Sequence, residues 1–244
     1  MPSCLKTVLI TLSLIFAPLL AHASPVTFET EDGVKISADI AVPETVSEPG
    51  PAVIFIHQGG SDKSEWTQTD LYAQIVQQGM VALAYDVRGH GQSEGRGGRS
   101  LFDDPERAPK DLQAALQFLA GQEHVDASRI AIVGSSIGAN LALVGLSKPE
   151  LEVKTAIAIS GKTSAWINLA GGAEAAMTPS SIYLIAAEHE QDGLRAVWAQ
   201  EIFDASAEPR KVEIVPGSHQ HGTGIIANRP DLQQRILNWL ATHL

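Results

Sequence analysis

The chain has 244 residues, which suits one domain with a sizeable core. Its formal charge of −11 argues against nucleic acid as a partner. Its single cysteine, Cys4, excludes an internal disulfide, so packing alone must hold the fold.

Lys6 precedes an uncharged apolar run from Thr7 to Leu20, and Ala21-His22-Ala23 follows. This order predicts a secretory signal peptide, residues 1–23, cleaved after Ala23. The run is shorter than the ~20 apolar residues that span a bilayer. The expected product is residues 24–244, secreted or periplasmic, with no stable membrane anchor and without Cys4.

Val26–Thr30 and Val34–Val42 read as strands joined by the turn Glu31-Asp32-Gly33. Continuous apolar runs at Ala52–Ile56, Val81–Tyr85, Ile130–Val133, Ala156–Ile159 and Ile182–Ala186 predict strands buried on both faces. Val212–Val215 reads as a further short strand. Helical spacing of apolar residues predicts helices over Thr69–Gln78, Pro105–Ala120, Leu194–Phe203 and Leu232–Leu240, and an apolar helix beginning near Gly138. Strands alternating with helices imply a mostly parallel sheet with helices on both faces. The Gly/Ala-rich stretch 161–181 is too short for a large cap, so loops are expected to roof any pocket.

Gly134-Ser135-Ser136-Ile137-Gly138 reads Gly-x-Ser-x-Gly between a strand and a helix. That is the setting of a nucleophile elbow, with small neighbours around a strained serine. Ser136 is the candidate nucleophile. A base must lie within hydrogen-bond reach of it, and His221, followed by Gly222, is preferred over His219. A metal pair at His219 and His221 is the competing reading, but no third ligand is evident. The acid that orients the base should follow the Ile182 strand, where Glu190, Asp192 and Glu188 are candidates in that order. Two backbone N–H groups should face the oxyanion, one from Ile137 and one from Gly59, with Gln58 as runner-up. His57 and the block Asp86-x-Arg88-Gly89-His90-Gly91-x-Ser93 read as scaffold. Trp66, Trp166 and Asn168 are candidate pocket-lining residues from loop position alone.

The His57 loop, the Asp86-to-Ser93 block, the Gly134-to-Gly138 elbow, the Glu190 loop and His221-Gly222-Thr223 together resemble the α/β-hydrolase superfamily. The small size and the lead-in Val125-Asp126-x-Ser128-Arg129-Ile130 are similar to its dienelactone hydrolase-like and small esterase branches. The enzyme that names the dienelactone group has a cysteine nucleophile where this chain has Ser136. Gln58 stands where a glycine is usual, and Glu190 where an aspartate is usual. The resemblance implies a single-domain α/β-hydrolase fold without a large cap, and a serine hydrolase without cofactor. A carboxylesterase for small acyl esters is the first expectation. A peptidase or amidase on the same triad, or a non-catalytic binding protein, are the rivals. The sequence specifies no oligomeric state.

Overall fold

A hairpin opens the described chain, with β1 (Ser24–Glu29) pairing antiparallel to β2 (Lys35–Ala41). The computed structural model describes residues 23–176 and 178–244. Apart from Ala23, the predicted signal peptide lies outside the described residues. β2 pairs antiparallel with β4 (Val81–Tyr85), and every later pairing is parallel. The remaining strands are β3 (Gly50–Ile56), β5 (Val125–Ser135), β6 (Thr155–Ile159), β7 (Ile182–Ala187) and β8 (Arg210–Val215). Together they form one eight-stranded sheet in the order β1-β2-β4-β3-β5-β6-β7-β8.

Helices cover both faces, which is why the central strands are apolar without alternation. Along β3, Ile54 and Ile56 face one core while Val53 and Phe55 face the other, all fully buried. Each such side chain contributes about 1.5–3 kcal/mol through its removal from water. The first core is closed by α3 (Ala108–Ala120), α4 (Ile137–Ser147), α5 (Thr163–Ala170) and Ile202 of α6 (Leu194–Ala205). The second is closed by α1 (Ser64–Thr67), α2 (Asp70–Gln77) and α7 (Pro230–His243). The α2 helix begins where Thr69 accepts the Tyr72 N–H at 3.2 Å, and it ends before Gly79 at φ 85°. The α4 helix is apolar on all sides because sheet, α3 and α5 surround it.

β5 begins at Val125, earlier than its apolar run suggests, and α3 begins only at Ala108. The 161–181 stretch holds α5, which the sequence did not announce; Ala165, Trp166, Leu169 and Ala170 are its buried face. No helix among the described residues is long and apolar enough to cross a membrane.

The chain runs from β3 outward to β4, then back across to β5 on the opposite side of β3. The carboxyl ends of β3 and β5 therefore flank the point where the winding reverses. Such a point leaves a crevice in which open α/β sheets bind ligands.

Candidate active site

Ser136 sits in that crevice, half-buried, between β5 and α4. Its φ of 53° and ψ of −107° lie outside the regions open to ordinary residues. The surroundings enforce this turn. The Ser136 N–H donates to Ile159 O at 2.8 Å. A Cβ on Gly134 would fall 2.1 Å from Gly138 O, and one on Gly138 would fall 2.2 Å from Ile56 O. Only glycine fits at either position, so the pattern seen in the sequence is a packing requirement. Ile137 opens α4, so its N–H has no acceptor within the helix, and the positive end of α4 favours negative charge here.

The loop after β3 supplies the other side. His57 is fully buried and both ring nitrogens are occupied. Nε2 accepts from Val87 N–H at 2.9 Å, so Nδ1 carries the proton and donates to Gln58 O at 2.7 Å. Burial pulls the His57 pKa below its ordinary value, which keeps the ring neutral. The Gln58 N–H donates to Glu65 Oε2 at 2.9 Å, and Glu65 Oε1 accepts from Ser135 Oγ at 2.7 Å. Glu65 thus ties this loop to the elbow and occupies the Gln58 donor. Gly59 is left as the donor facing the crevice; among the described residues its N–H has no protein acceptor. A Cβ at Gly59 would meet the Phe102 ring at 2.7 Å.

The candidate acid and base stand on the β6–β8 side. Glu190 is 4% exposed, and its Oε1 lies 2.5 Å from His221 Nδ1. Ser160, at the end of β6, donates from Oγ to Glu190 Oε2 at 2.8 Å and accepts the Gly222 N–H at 3.0 Å. One hydroxyl therefore links the acid loop to the base loop. Arg195 of α6 donates from Nη1 to Ser160 O at 2.6 Å. Its Nε lies 3.1 Å from Glu190 Oε1, an ion pair out of line for a hydrogen bond. Burial lowers the Arg195 pKa and the Glu190 charge pulls it back, so the guanidinium stays cationic. The His221 side chain is 38% exposed. Among the described residues its Nε2 has no hydrogen bond, and none joins it to Ser136 Oγ. Such contacts commonly tighten only when substrate is bound.

The alternative acids are placed elsewhere. Asp192 is exposed at φ 56° in the turn before α6. Glu188 is exposed and accepts the Gly217 N–H at 2.7 Å. His219 is exposed and packs on His189 with ring centroids 4.9 Å apart, so it shares no site with His221. Among the described residues no group of three or more His, Cys, Asp or Glu could hold a metal ion.

A cavity of about 510 Å³ adjoins Ser136, with Gly59, Ile137, Phe102, Asn140, Lys162 and Arg195 among its walls. The expectation for Trp66, Trp166 and Asn168 fails. Trp66 is fully buried against Phe55, and Trp166 is buried with its Nε1–H on Ser147 Oγ at 2.9 Å. Asn168 instead donates to Asp103 at 3.3 Å. Ser160, Arg195 and Glu65 were missed. A polar residue directly after an apolar strand, and an arginine in step with Ala199 and Ile202 on the buried face of α6, were signals for the first two.

Arg88 and Lys63 form a separate network. Arg88 donates from Nε to Asp111 at 2.7 Å and from Nη1 and Nη2 to Asp32 at 2.7 and 2.9 Å. Asp86 accepts from Lys63 N and Nζ at 2.7 and 2.9 Å. This is the scaffold role read from the Asp86-to-Ser93 block.

A protein of Mycobacterium tuberculosis is 27% identical over 213 residues, 82% of this chain and 73% of its own length. In fold, the chain is similar to an acetyl xylan esterase from Paenibacillus sp. R4, with a TM-score of 0.72 and 20% identity, covering 95% of this chain and 87% of that one. It is similar also to an esterase of Pyrococcus furiosus, with a TM-score of 0.69 and 19% identity, covering 91% and 93%. Residues 47–183 match the family described as serine aminopeptidase, S33. With that match over more than half its length and an α/β-hydrolase sheet, the chain belongs to the serine aminopeptidase S33 family of α/β hydrolases.

Proposed function

We propose that the protein is a serine carboxylesterase acting on small acyl esters. The observations that carry this reading are a strained serine that lines a cavity and the pairing of buried Glu190 with His221, whose neighbour Gly222 packs against Ser135 of the elbow. Ser136 Oγ attacks the ester carbonyl while His221 Nε2 takes its proton. The Gly59 and Ile137 N–H groups receive the oxyanion. His221 returns the proton to the departing alcohol, leaving an acyl-enzyme. It then draws a proton from water, which releases the acid and restores Ser136. Glu190 holds Nδ1 protonated and so keeps Nε2 free as the base. No cofactor is needed. The esterases of similar fold agree with an ester substrate.

Labelling by a fluorophosphonate tests this reading, with Ser136→Ala as control and short p-nitrophenyl esters as competitors. Labelling at Ser136 that the esters suppress supports it. Unlabelled, folded wild-type protein would favour the binding-protein alternative. One observation keeps an amide substrate in view: exposed Asp103 stands on the cavity wall, where it could take a cationic peptide terminus. Rates on matched esters and amides separate the two.

We also infer export, with the signal peptide removed after Ala23. The position of β1, which begins at Ser24, accords with such a cut. The mass of the protein recovered from outside the cytoplasm checks it.

A further inference from the structure

We propose that Arg195 is a positioning residue for this site: it fixes the Glu190 carboxylate and shares its charge, and so extends the action of His221 as base to lower pH. The inference rests on the triad reading above.

Glutamate has one more rotatable bond than aspartate, and ordering such a side chain costs conformational entropy. A single contact with His221 would leave Glu190 free to swing. Two further groups hold it. Ser160 Oγ occupies Oε2 at 2.8 Å, and Arg195 Nε stands 3.1 Å from the same Oε1 that meets His221. Arg195 is in turn fixed by Ser160 O at 2.6 Å and by the Trp198 ring, 5.2 Å from its Cζ. It is 8% exposed, so water screens its charge little.

A buried carboxylate beside an imidazole favours the protonated ring, and a permanent cation on the same oxygen opposes that. The charged groups that face the His221 loop come from several elements: Glu65 and Asp70 line a pocket with Thr223 and Gly224, and Glu188 accepts the Gly217 N–H at 2.7 Å. Glu190 comes from the loop after β7, Arg195 from α6, and Lys162 from the cavity wall before α5. His189 and His219 stack on one another at the exposed side. Arg195 is the cation in direct contact with the acid. It thereby offsets the charge that would otherwise hold a proton on the base.

The experiment compares wild type, Arg195→Gln and Arg195→Lys by fluorophosphonate labelling and by the pH profile of kcat/KM on p-nitrophenyl acetate. Arg195→Gln is expected to lose about 10²-fold in kcat/KM. Its acid limb is expected to move up by about one pH unit. Arg195→Lys keeps the charge, so its limb stays near that of wild type and part of the rate returns. A limb unmoved in Arg195→Gln, or a lysine variant no better than the glutamine one, overturns the inference and leaves the triad reading standing. Unlabelled wild type overturns both. If Arg195→Gln fails to fold, Arg195→Lys decides alone. A slower enzyme with an unmoved limb supports the inference, and unchanged rates overturn it.

Discussion

His57 and His221 stand on the loops that follow the carboxyl ends of β3 and β8 in one sheet, yet their surroundings differ sharply. His57 is fully buried, with one nitrogen accepting from Val87 and the other donating to Gln58. Nothing remains for it to exchange with a substrate. His221 commits only Nδ1, to Glu190, and its side chain is 38% exposed. The contrast extends to the carboxylates. Asp86 and Asp111 are wholly buried and spent on Lys63 and Arg88, whereas Glu190 holds a ring that is partly exposed. An imidazole with one nitrogen left over is free for the role of base that we propose for His221, and one with none left over is a strut.

The largest expected effect breaks this contrast on the catalytic side. His221→Ala should lose at least about 10⁴-fold in ester hydrolysis. It should keep its melting temperature within a few degrees, because Ser160 and Arg195 still hold Glu190. Rates on p-nitrophenyl acetate with a parallel thermal melt check this. Near-normal turnover would remove His221 from the mechanism.

Arg88→Met attacks the strut side. It leaves Asp111 buried with one backbone N–H, from residue 88 at 2.9 Å, and frees Asp32. Stripping one partner from a buried pair costs about 3–5 kcal/mol. Denaturant unfolding reads that loss, while the rate per folded molecule should be unchanged. A fall in rate well beyond the loss of folded protein would mean that the network also shapes the site.

A smaller effect follows from His57 itself. Burial lowers its pKa in the folded state, whereas in the unfolded chain it titrates near 6.5. Below that pH the unfolded chain binds a proton that the folded protein refuses. The stability contribution of His57 is therefore full above about 6.5 and is lost as pH falls toward its folded value. The slope is at most about 1.4 kcal/mol per pH unit. Comparing denaturant unfolding of wild type and His57→Gln on both sides of this pH isolates the contribution. Equal slopes in the two proteins would show that His57 titrates alike folded and unfolded.

The two sides also differed in how well the sequence announced them. Strands buried on both faces write themselves as apolar runs, and the elbow glycines follow from clashes within a few residues. Within the scaffold block Asp86, Gln92 and Ser93 close one local turn, whereas the reach of Arg88 to Asp32 and Asp111 left no local sign. The acid and base side is assembled from distant segments. Ser160 meets Glu190 thirty residues on and Gly222 sixty-two residues on. No short pattern records such meetings. Trp66 and Trp166 misled for a related reason: a large aromatic near a motif does not reveal whether it faces the crevice or the core, and burial decided for the core. The α5 helix stayed hidden because Gly171 and Gly172 follow it closely and its apolar face is only four residues.

The smallest expected effect concerns the acid loop, where the sequence left three carboxylates open. Asp192 lies two residues from Glu190, but the left-handed conformations of Gln191, Asp192 and Gly193 turn the chain sharply into α6. That turn leaves Asp192 exposed to solvent and brings Arg195 inward to Glu190. Asp192→Asn keeps a residue type that tolerates the left-handed region. It should change stability by less than about 0.5 kcal/mol and leave kcat/KM unaltered. Glu190→Gln, measured beside it, should lose activity by orders of magnitude, because an amide cannot hold the ring as an anion does. If Asp192→Asn loses as much as Glu190→Gln, the acid loop rearranges on binding substrate, and the carboxylate that meets His221 in the free protein is not the one that serves the reaction.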